Sequence, residues 1–177
     1  LFNKYDMEII HAKKINTHGG SIRVYAARKK RFKINHSVRK ILSYEKNFLN
    51  WKTFNNFKKK VVDSKLKLYS ILKKLKNNNK KIYGIGAPSR ASTLINYVGL
   101  DENIIDCVLE IDGSYKIGNY IPGKKIPILP ENKLYNDPPD FLILFSWHIA
   151  SELKFNLKKK GFKGKFIIPL PHPKIEN

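Results

Sequence analysis

One stretch, Lys81-Ile-Tyr-Gly-Ile-Gly-Ala-Pro-Ser-Arg-Ala-Ser-Thr-Leu-Ile-Asn-Tyr97, constrains the fold more than any other. An apolar strand runs into two glycines and straight into a helix start, the layout of a βα unit with a phosphate-binding turn. Gly84 and Gly86 let the backbone turn tightly and approach a ligand, Pro88 suits the first helical turn, and free N–H groups near Ser89 stand beside a positive helix end. Arg90 adds a full charge there. The dinucleotide fingerprint calls for a small Gly or Ala three positions after the second glycine, and Ser89 stands in its place, so the match to a nicotinamide site is poor. Two readings stay open: a turn that holds a ligand anion, and a turn that only packs one βα unit.

A chain of 177 residues can bury one real core and a smaller second one. It begins at Leu1, and its first residues read as the middle of a structured segment, which gives the expectation of a piece of a longer protein. No apolar run is long enough to span a bilayer, there is no signal-peptide pattern, and the single cysteine, Cys107, has no partner for an internal disulfide. A cytoplasmic setting is expected, with Cys107 as a small buried hydrophobe. Thirty-five Lys and Arg against fourteen Asp and Glu give a formal charge of +21. Such a balance suits nucleic acid, an anionic membrane surface or a phosphorylated substrate. The lysines fall in scattered runs (Lys58 to Lys60, Lys73-Lys74, Lys158 to Lys160) on what read as solvent faces of helices. Neither zinc-finger spacing, nor a ribonucleoprotein motif, nor a basic helix with a dimer heptad organises them. The pattern therefore points away from nucleic acid and membrane and toward a small anionic ligand.

The chain reads as three parts. Residues 1–32 alternate apolar clusters around His18-Gly-Gly-Ser21, as two strands joined by a glycine turn. From Ser37 to Lys76, apolar residues recur at Trp51, Phe54, Phe57, Val61, Val62, Leu66, Tyr69, Leu72 and Leu75, the spacing of one or two amphipathic helices. Residues 33–79 are thus a helical connector, closed by Asn77-Asn-Asn79. Residues 80–177 alternate strands (81–86, 107–111, 141–145, 165–170) with helices (89–98, 149–160), around a Gly- and Pro-punctuated segment from Asp112 to Pro130. That alternation predicts an α/β, Rossmann-like domain with a mostly parallel sheet and flanking helices. Its ligand crevice lies beyond the carboxyl ends of the strands, which puts Gly86 to Arg90, Asp112 to Lys116, Ser146 to His148 and Pro169 to His172 on one rim.

These residues resemble a known family, the bacterial sugar C-methyltransferases that use S-adenosylmethionine on a keto-sugar carried by a nucleoside diphosphate. The likeness lies in Gly84-Ile-Gly-Ala-Pro-Ser-Arg-Ala-Ser-Thr-Leu-Ile-Asn-Tyr97, Asp112, Lys116-Ile-Gly118 and Pro122-Gly-Lys-Lys-Ile-Pro-Ile128. His18-Gly-Gly-Ser-Ile-Arg-Val-Tyr25 is similar to the end of the family's methyltransferase domain. Ser89, Arg90, Ala91 and Ser92 depart from the family's Ala, Lys, Gly and Asn, and arginine for lysine turns a point charge into a planar fork. The resemblance implies a three-part enzyme: an amino-terminal zinc-binding module, a central domain holding S-adenosylmethionine, and a carboxyl-terminal domain that helps hold the nucleotide-sugar. This chain corresponds to the third part with the last strands of the second. Its partners are then the nucleotide-sugar and the remainder of its own polypeptide. Zinc and S-adenosylmethionine belong to the missing parts, the family's catalytic Glu-His pair precedes the chain, and the chain alone is expected to be inert.

The candidate substrate-binding residues are Gly84, Gly86, Ala87, Pro88, Ser89, Arg90, Asp112, Lys116, Trp147 and His148. Asp112 reads either as an acceptor for a ribose or as a cap for the loop at Gly113, and Trp147-His148 either as a stacking surface with a donor or as a helix cap. His18, Ser21 and Arg23 are candidates to line a cleft with the rest of the protein. His11, His36 and His172 are too dispersed for a metal site. The alternative from another class is a non-catalytic nucleotide- or anion-binding module whose charge recruits an acidic partner.

Overall fold

The computed structural model describes residues 1–177, the side chain of His18 excepted. Two compact units make up the chain, Leu1–Lys59 and Lys60–Asn177.

In the first unit, β1 (Met7–Ile15) and β2 (Ser21–Arg28) form an antiparallel hairpin in which Met7 faces Arg28 and Ile15 faces Ser21. A register shift between Ile9 and His11 marks a bulge. Helix α1 (His36–Phe48) starts where Asn35 Oδ1 accepts the Ser37 N–H at 2.9 Å, an ordinary N-cap. The Ser37 hydroxyl in turn accepts the Ala12 N–H at 3.2 Å, which ties the helix to β1. Helix α2 (Trp51–Asn77) begins in this unit and ends in the second. The stretch expected as one or two amphipathic helices is two, parted at Leu49 and Asn50.

The second unit is an α/β sandwich built on β3 (Ile82–Ile85), β4 (Cys107–Glu110), β5 (Ile128–Pro130), β6 (Phe141–Leu144), β7 (Lys165–Ile168) and β8 (Lys174–Glu176). The strand order is β5-β4-β3-β6-β7-β8, parallel throughout except for β8, which runs antiparallel to β7. β3 and β6 are buried along their whole length, as the continuous apolar runs Ile-Tyr-Gly-Ile and Phe-Leu-Ile-Leu require of strands covered on both faces. One face packs Ile82, Val108, Ile143 and Ile167 against Leu68 and Leu72 of α2 and Ala91 and Ile95 of α3 (Ser89–Val98). The other packs Leu109, Leu142, Leu144 and Phe166 against Leu134 of α4 (Lys133–Asn136) and Leu157 of α5 (Ala150–Lys159). Helix α3 ends on Gly99 at φ 86°, whose N–H donates to Asn96 O while the Leu100 N–H donates to Ile95 O, a Schellman stop.

The fold class is the one expected from the strand-helix alternation. β5, α4 and β8 were not foreseen, since three- and four-residue elements beside Pro130, Pro138 and Pro173 carry no periodicity to read. Chain order runs outward from β3 through β4 to β5, then restarts at β6 on the other side of β3. The adjacent ends of β3 and β6 are thus a topological switch point, where a crevice opens.

Candidate functional site

The crevice starts at Gly86, which leaves β3 at φ 78°, a backbone that glycine adopts without strain. Its N–H donates to Leu109 O at 2.8 Å, and a Cβ built there would lie 3.4 Å from the Ser146 hydroxyl, so the end of β6 stands beside the turn. The next donor, the Ala87 N–H, is already used: it donates to Glu110 Oε2 at 2.8 Å. Glu110 Oε1 accepts the Ile111 N–H at 3.2 Å, and Lys116 Nζ lies 3.7 Å from Oε2. The side chain of Glu110 is only 13% exposed. A carboxylate of the protein itself thus sits on the glycine turn.

Arg90, on the first turn of α3, reaches the same edge. Its Nη1 lies 3.1 Å from His148 Nδ1, and its guanidinium carbon stands 5.7 Å from the centre of the Trp147 ring. Arginine only donates, so Nδ1 accepts and the imidazole proton of this contact's tautomer is on Nε2. Trp147 packs against both cores at the sheet edge, which makes it a fixed plane. Among the described residues no carboxylate lies within ion-pair distance of Arg90. His148 and Trp147 hold its guanidinium in place, and its charge stays available to a ligand anion.

Between the turn and α5 lies a cavity of about 310 Å³, bounded by Gly86, Glu110, Glu131, Ser146, Asn156 and Lys160 over an apolar floor. Lys160 Nζ is 2.7 Å from Glu131 Oε1, and the hydrogen bond to that carboxylate raises its pKa above the ordinary lysine value. A larger cavity, about 860 Å³, opens at the opposite edge of the sheet among Lys80, Lys81, Pro139, Lys163 and Lys165. Strand amino ends point there, whereas ligands of open α/β sheets sit beyond the carboxyl ends, so the smaller cavity at the switch point is the candidate site. The cavity offers a hydroxyl and an amide, Ser146 and Asn156, while a fixed cation on an aromatic plane, Arg90 on Trp147, stands apart from its lining at the same carboxyl end of the sheet. Among the described residues no group of His, Cys, Asp and Glu is arranged to hold a metal ion.

Residues 16–171 match the C-methyltransferase C-terminal domain. The chain belongs to that family. It is also 26% identical, over 181 residues, to the C-methyltransferase NovU of Streptomyces niveus. That alignment takes in 99% of this chain and 42% of NovU, so the chain spans less than half the length of this relative.

Two of the motifs through which the chain resembles the C-methyltransferases meet in space. Asn96, from the Leu-Ile-Asn-Tyr run, donates through Nδ2 to Pro122 O at 2.9 Å, and a Cβ on Gly123 would lie 3.0 Å from Asn96 Oδ1. The Pro122-Gly123 turn is thus clamped to α3, and the role of this pair is to shape the loop. Of the residues singled out in sequence, Gly86 lines the cavity and Ala87 is bonded to the Glu110 carboxylate at its wall. Trp147 and His148, which follow Ser146 in the chain, form with Arg90 a group of their own, with Pro88 as N-cap of α3 and Ser89 as its first residue. Gly84 does not reach the rim. It lies inside β3, where a Cβ would come 2.3 Å from Phe145 Cε2, so its smallness serves packing rather than contact. Asp112 stands in a tight turn closed by the Ser114 N–H on Ile111 O, with Gly113 at φ 81° and its own carboxylate exposed. The acid at the end of β4 is instead Glu110, and Lys116 serves it as counter-ion. Glu110, Glu131, Asn156 and Lys160 were missed. The signal for Glu110 was the period of two along β4, which carries it to the face of Val108, under the start of α3.

The remaining candidates lie in the first unit. Ser21 donates its hydroxyl to Thr17 O at 3.0 Å, and Arg23 pairs across the hairpin with Lys13. His18 belongs to a short turn at Thr17–Gly19, and its side chain lies outside the described residues. No helix among the described residues is long and apolar enough to cross a membrane.

Proposed function

We propose that this chain is the substrate-holding end of an S-adenosylmethionine-dependent C-methyltransferase acting on a keto-sugar linked to a nucleoside diphosphate, and that the crevice beyond β3 and β6 holds the nucleotide-sugar. The observation that carries the reading is Arg90, a planar cation at the switch point, oriented by His148 and Trp147 and uncompensated by any described carboxylate. A guanidinium fork matches two phosphate oxygens at once, and Trp147 offers a plane for a ring. The family supports the chemistry of the whole enzyme, methyl transfer to carbon, while this chain contributes positioning.

In this reading the methyl donor, the zinc and the catalytic base are carried by parts of the polypeptide outside this chain. Those parts also cover the apolar surface of Leu1–Lys59, where Trp51 is 81% and Phe57 66% exposed. Aromatic side chains bared to that degree along one short unit mark an interface rather than a finished surface.

Calorimetric titration of the chain with uridine diphosphate, uridine diphosphate glucose and S-adenosylmethionine tests the proposal. The nucleotides are expected to bind and S-adenosylmethionine is not. Arg90→Ala is expected to weaken nucleotide binding by roughly ten- to a hundredfold, the equivalent of about 1.5–3 kcal/mol for one charge-assisted contact. Binding of S-adenosylmethionine alone would overturn the assignment of this chain to the substrate-holding end.

A further inference from the structure

The glycine turn has the form of a phosphate cradle, yet its donor is occupied. The Ala87 N–H, which a ligand phosphate would take, is held by Glu110 Oε2 at 2.8 Å, and the second oxygen of Glu110 is fixed by the Ile111 N–H at 3.2 Å. Glu110 is mostly buried, belongs to the regular end of β4 and has Lys116 at 3.7 Å to balance its charge. A phosphate oxygen on the same N–H would have to displace a built-in carboxylate or stand against it as a like charge at close range. The fixed cation Arg90 lies to one side, against Trp147 and His148, while the 310 Å³ cavity lies beside Glu110 itself. Its polar walls are the carboxylates of Glu110 and Glu131, the Ser146 hydroxyl, the Asn156 amide and the Lys160 ammonium already paired to Glu131. The two carboxylates repel an anion and take hydrogen bonds from hydroxyl groups, to which the serine and the amide can also bond.

We propose that Glu110 is a specificity-determining residue: seated on the glycine turn as an internal anion, it bars phosphate from the turn and reserves the adjoining cavity for an uncharged, hydroxyl-bearing part of the ligand, a ribose or a hexose, while the diphosphate stays with Arg90. The assignment of the two ligand parts rests on the reading of the crevice as a nucleotide-sugar site. The occupation of the turn stands apart from that reading, because it concerns inorganic phosphates as well.

The test is amide and guanidinium chemical-shift mapping of the isotope-labelled chain with sodium pyrophosphate and, separately, uridine diphosphate glucose, in wild type and Glu110→Gln. The wild-type chain is expected to show pyrophosphate shifts at Arg90 and none at the Ala87 amide, and sugar-nucleotide shifts that extend to Ser146 and Asn156. Glu110→Gln keeps the shape of the side chain, removes its charge and leaves Lys116 uncompensated. In that variant pyrophosphate is expected to reach the Ala87 amide and to bind at least threefold more tightly. In the free wild-type chain, with no substitution made, the Ala87 amide is expected to exchange slowly with solvent. Saturable pyrophosphate shifts at Ala87 in the wild type would overturn the proposal, and so would an Ala87 amide untouched by pyrophosphate in both proteins. If uridine diphosphate glucose binds nowhere in the crevice, the nucleotide-sugar reading and the cavity's assignment fail together, while the pyrophosphate arm still decides whether Glu110 guards the turn.

Discussion

Gly84 and Gly86 stand two residues apart and must be glycine for different reasons. At Gly84 a Cβ would meet Phe145 at 2.3 and 2.9 Å and Val108 at 3.2 Å, and Phe145 is fully buried and has nowhere to move. Gly84→Ala is expected to destabilise the fold by about 1–3 kcal/mol through overpacking, read from the urea midpoint. At Gly86 there is room for a methyl group, but φ is 78°, so Gly86→Ala is expected to cost about 1–2 kcal/mol from backbone strain. The two variants also separate packing from site, since Gly86→Ala alone bends the crevice edge and is expected to weaken nucleotide binding as well. Burial pushes the Cys107 thiol up to about 12, with a nearby Lys133 opposing and Asp106 assisting. Iodoacetamide at pH 8 is therefore expected to label Cys107 only as fast as the protein opens, and a fast reaction in the folded chain would contradict its burial. The glycine turn, Arg90 and Trp147-His148 were legible in sequence because each breaks a local pattern. Glu110 was not read, because within Cys-Val-Leu-Glu it looks like the tail of a strand: the period of two gives its face, and the pairing of β3 with β4 then brings its carboxylate to Ala87.

At the scale of elements, an ionic cluster holds the edge of the sheet opposite the crevice. Asp137, just after α4, accepts from Lys133 Nζ at 2.8 Å, from Lys81 and from the Tyr83 hydroxyl at 2.7 Å. These bonds, that of Lys133 foremost, hold its carboxyl well below the usual 3.8. Asp140 is held down too, chiefly by the Lys81 N–H at 2.8 Å and then by Lys80. A carboxyl whose folded pKa is depressed contributes stability that is complete above its unfolded value and is lost as pH falls through the folded one. The urea midpoint is therefore expected to be flat above about pH 5 and to fall progressively on acidification below the ordinary carboxylate range. Asp137→Asn is expected to lower the plateau and flatten that fall; an unchanged slope would show that the cluster does not couple to folding. Helix α2 holds the other side of the sheet through Leu68 and Leu72, both essentially inaccessible. Leu72→Ala is expected to cost about 2–5 kcal/mol, as a buried cavity does. The stripe that contains Leu72 was readable as helix from its spacing. Which of its residues are buried was not, since Leu66 lies six positions away on the same helix and is largely exposed.

At the scale of the whole molecule, stability is unevenly shared. Among the described residues of Leu1–Lys59 only Ala12 is buried, while Lys60–Asn177 holds two complete cores. Amides of β1 and β2 are expected to exchange orders of magnitude faster than those of β3 and β6, which open only with global unfolding. Equal protection in a hydrogen-exchange time course would contradict this picture. The parallel sheet was legible because alternating strand and helix patterns leave few other topologies. The switch point between β3 and β6 also followed from strand order, once the sheet was given. A net charge of +21 did not locate the site, since most of its lysines are spread over helix faces and sheet edges. The proposed site puts a nucleotide-sugar at the carboxyl edge of β3 and β6 with its diphosphate on Arg90. A crystal structure of the chain with uridine diphosphate glucose tests it most directly. Phosphate oxygens are expected within hydrogen-bond distance of the Arg90 guanidinium, with the sugar or ribose in the cavity beside Glu110. A ligand found instead among Lys80, Lys81, Lys163 and Lys165 at the opposite edge, or with its phosphates on the Ala87 amide, would contradict it.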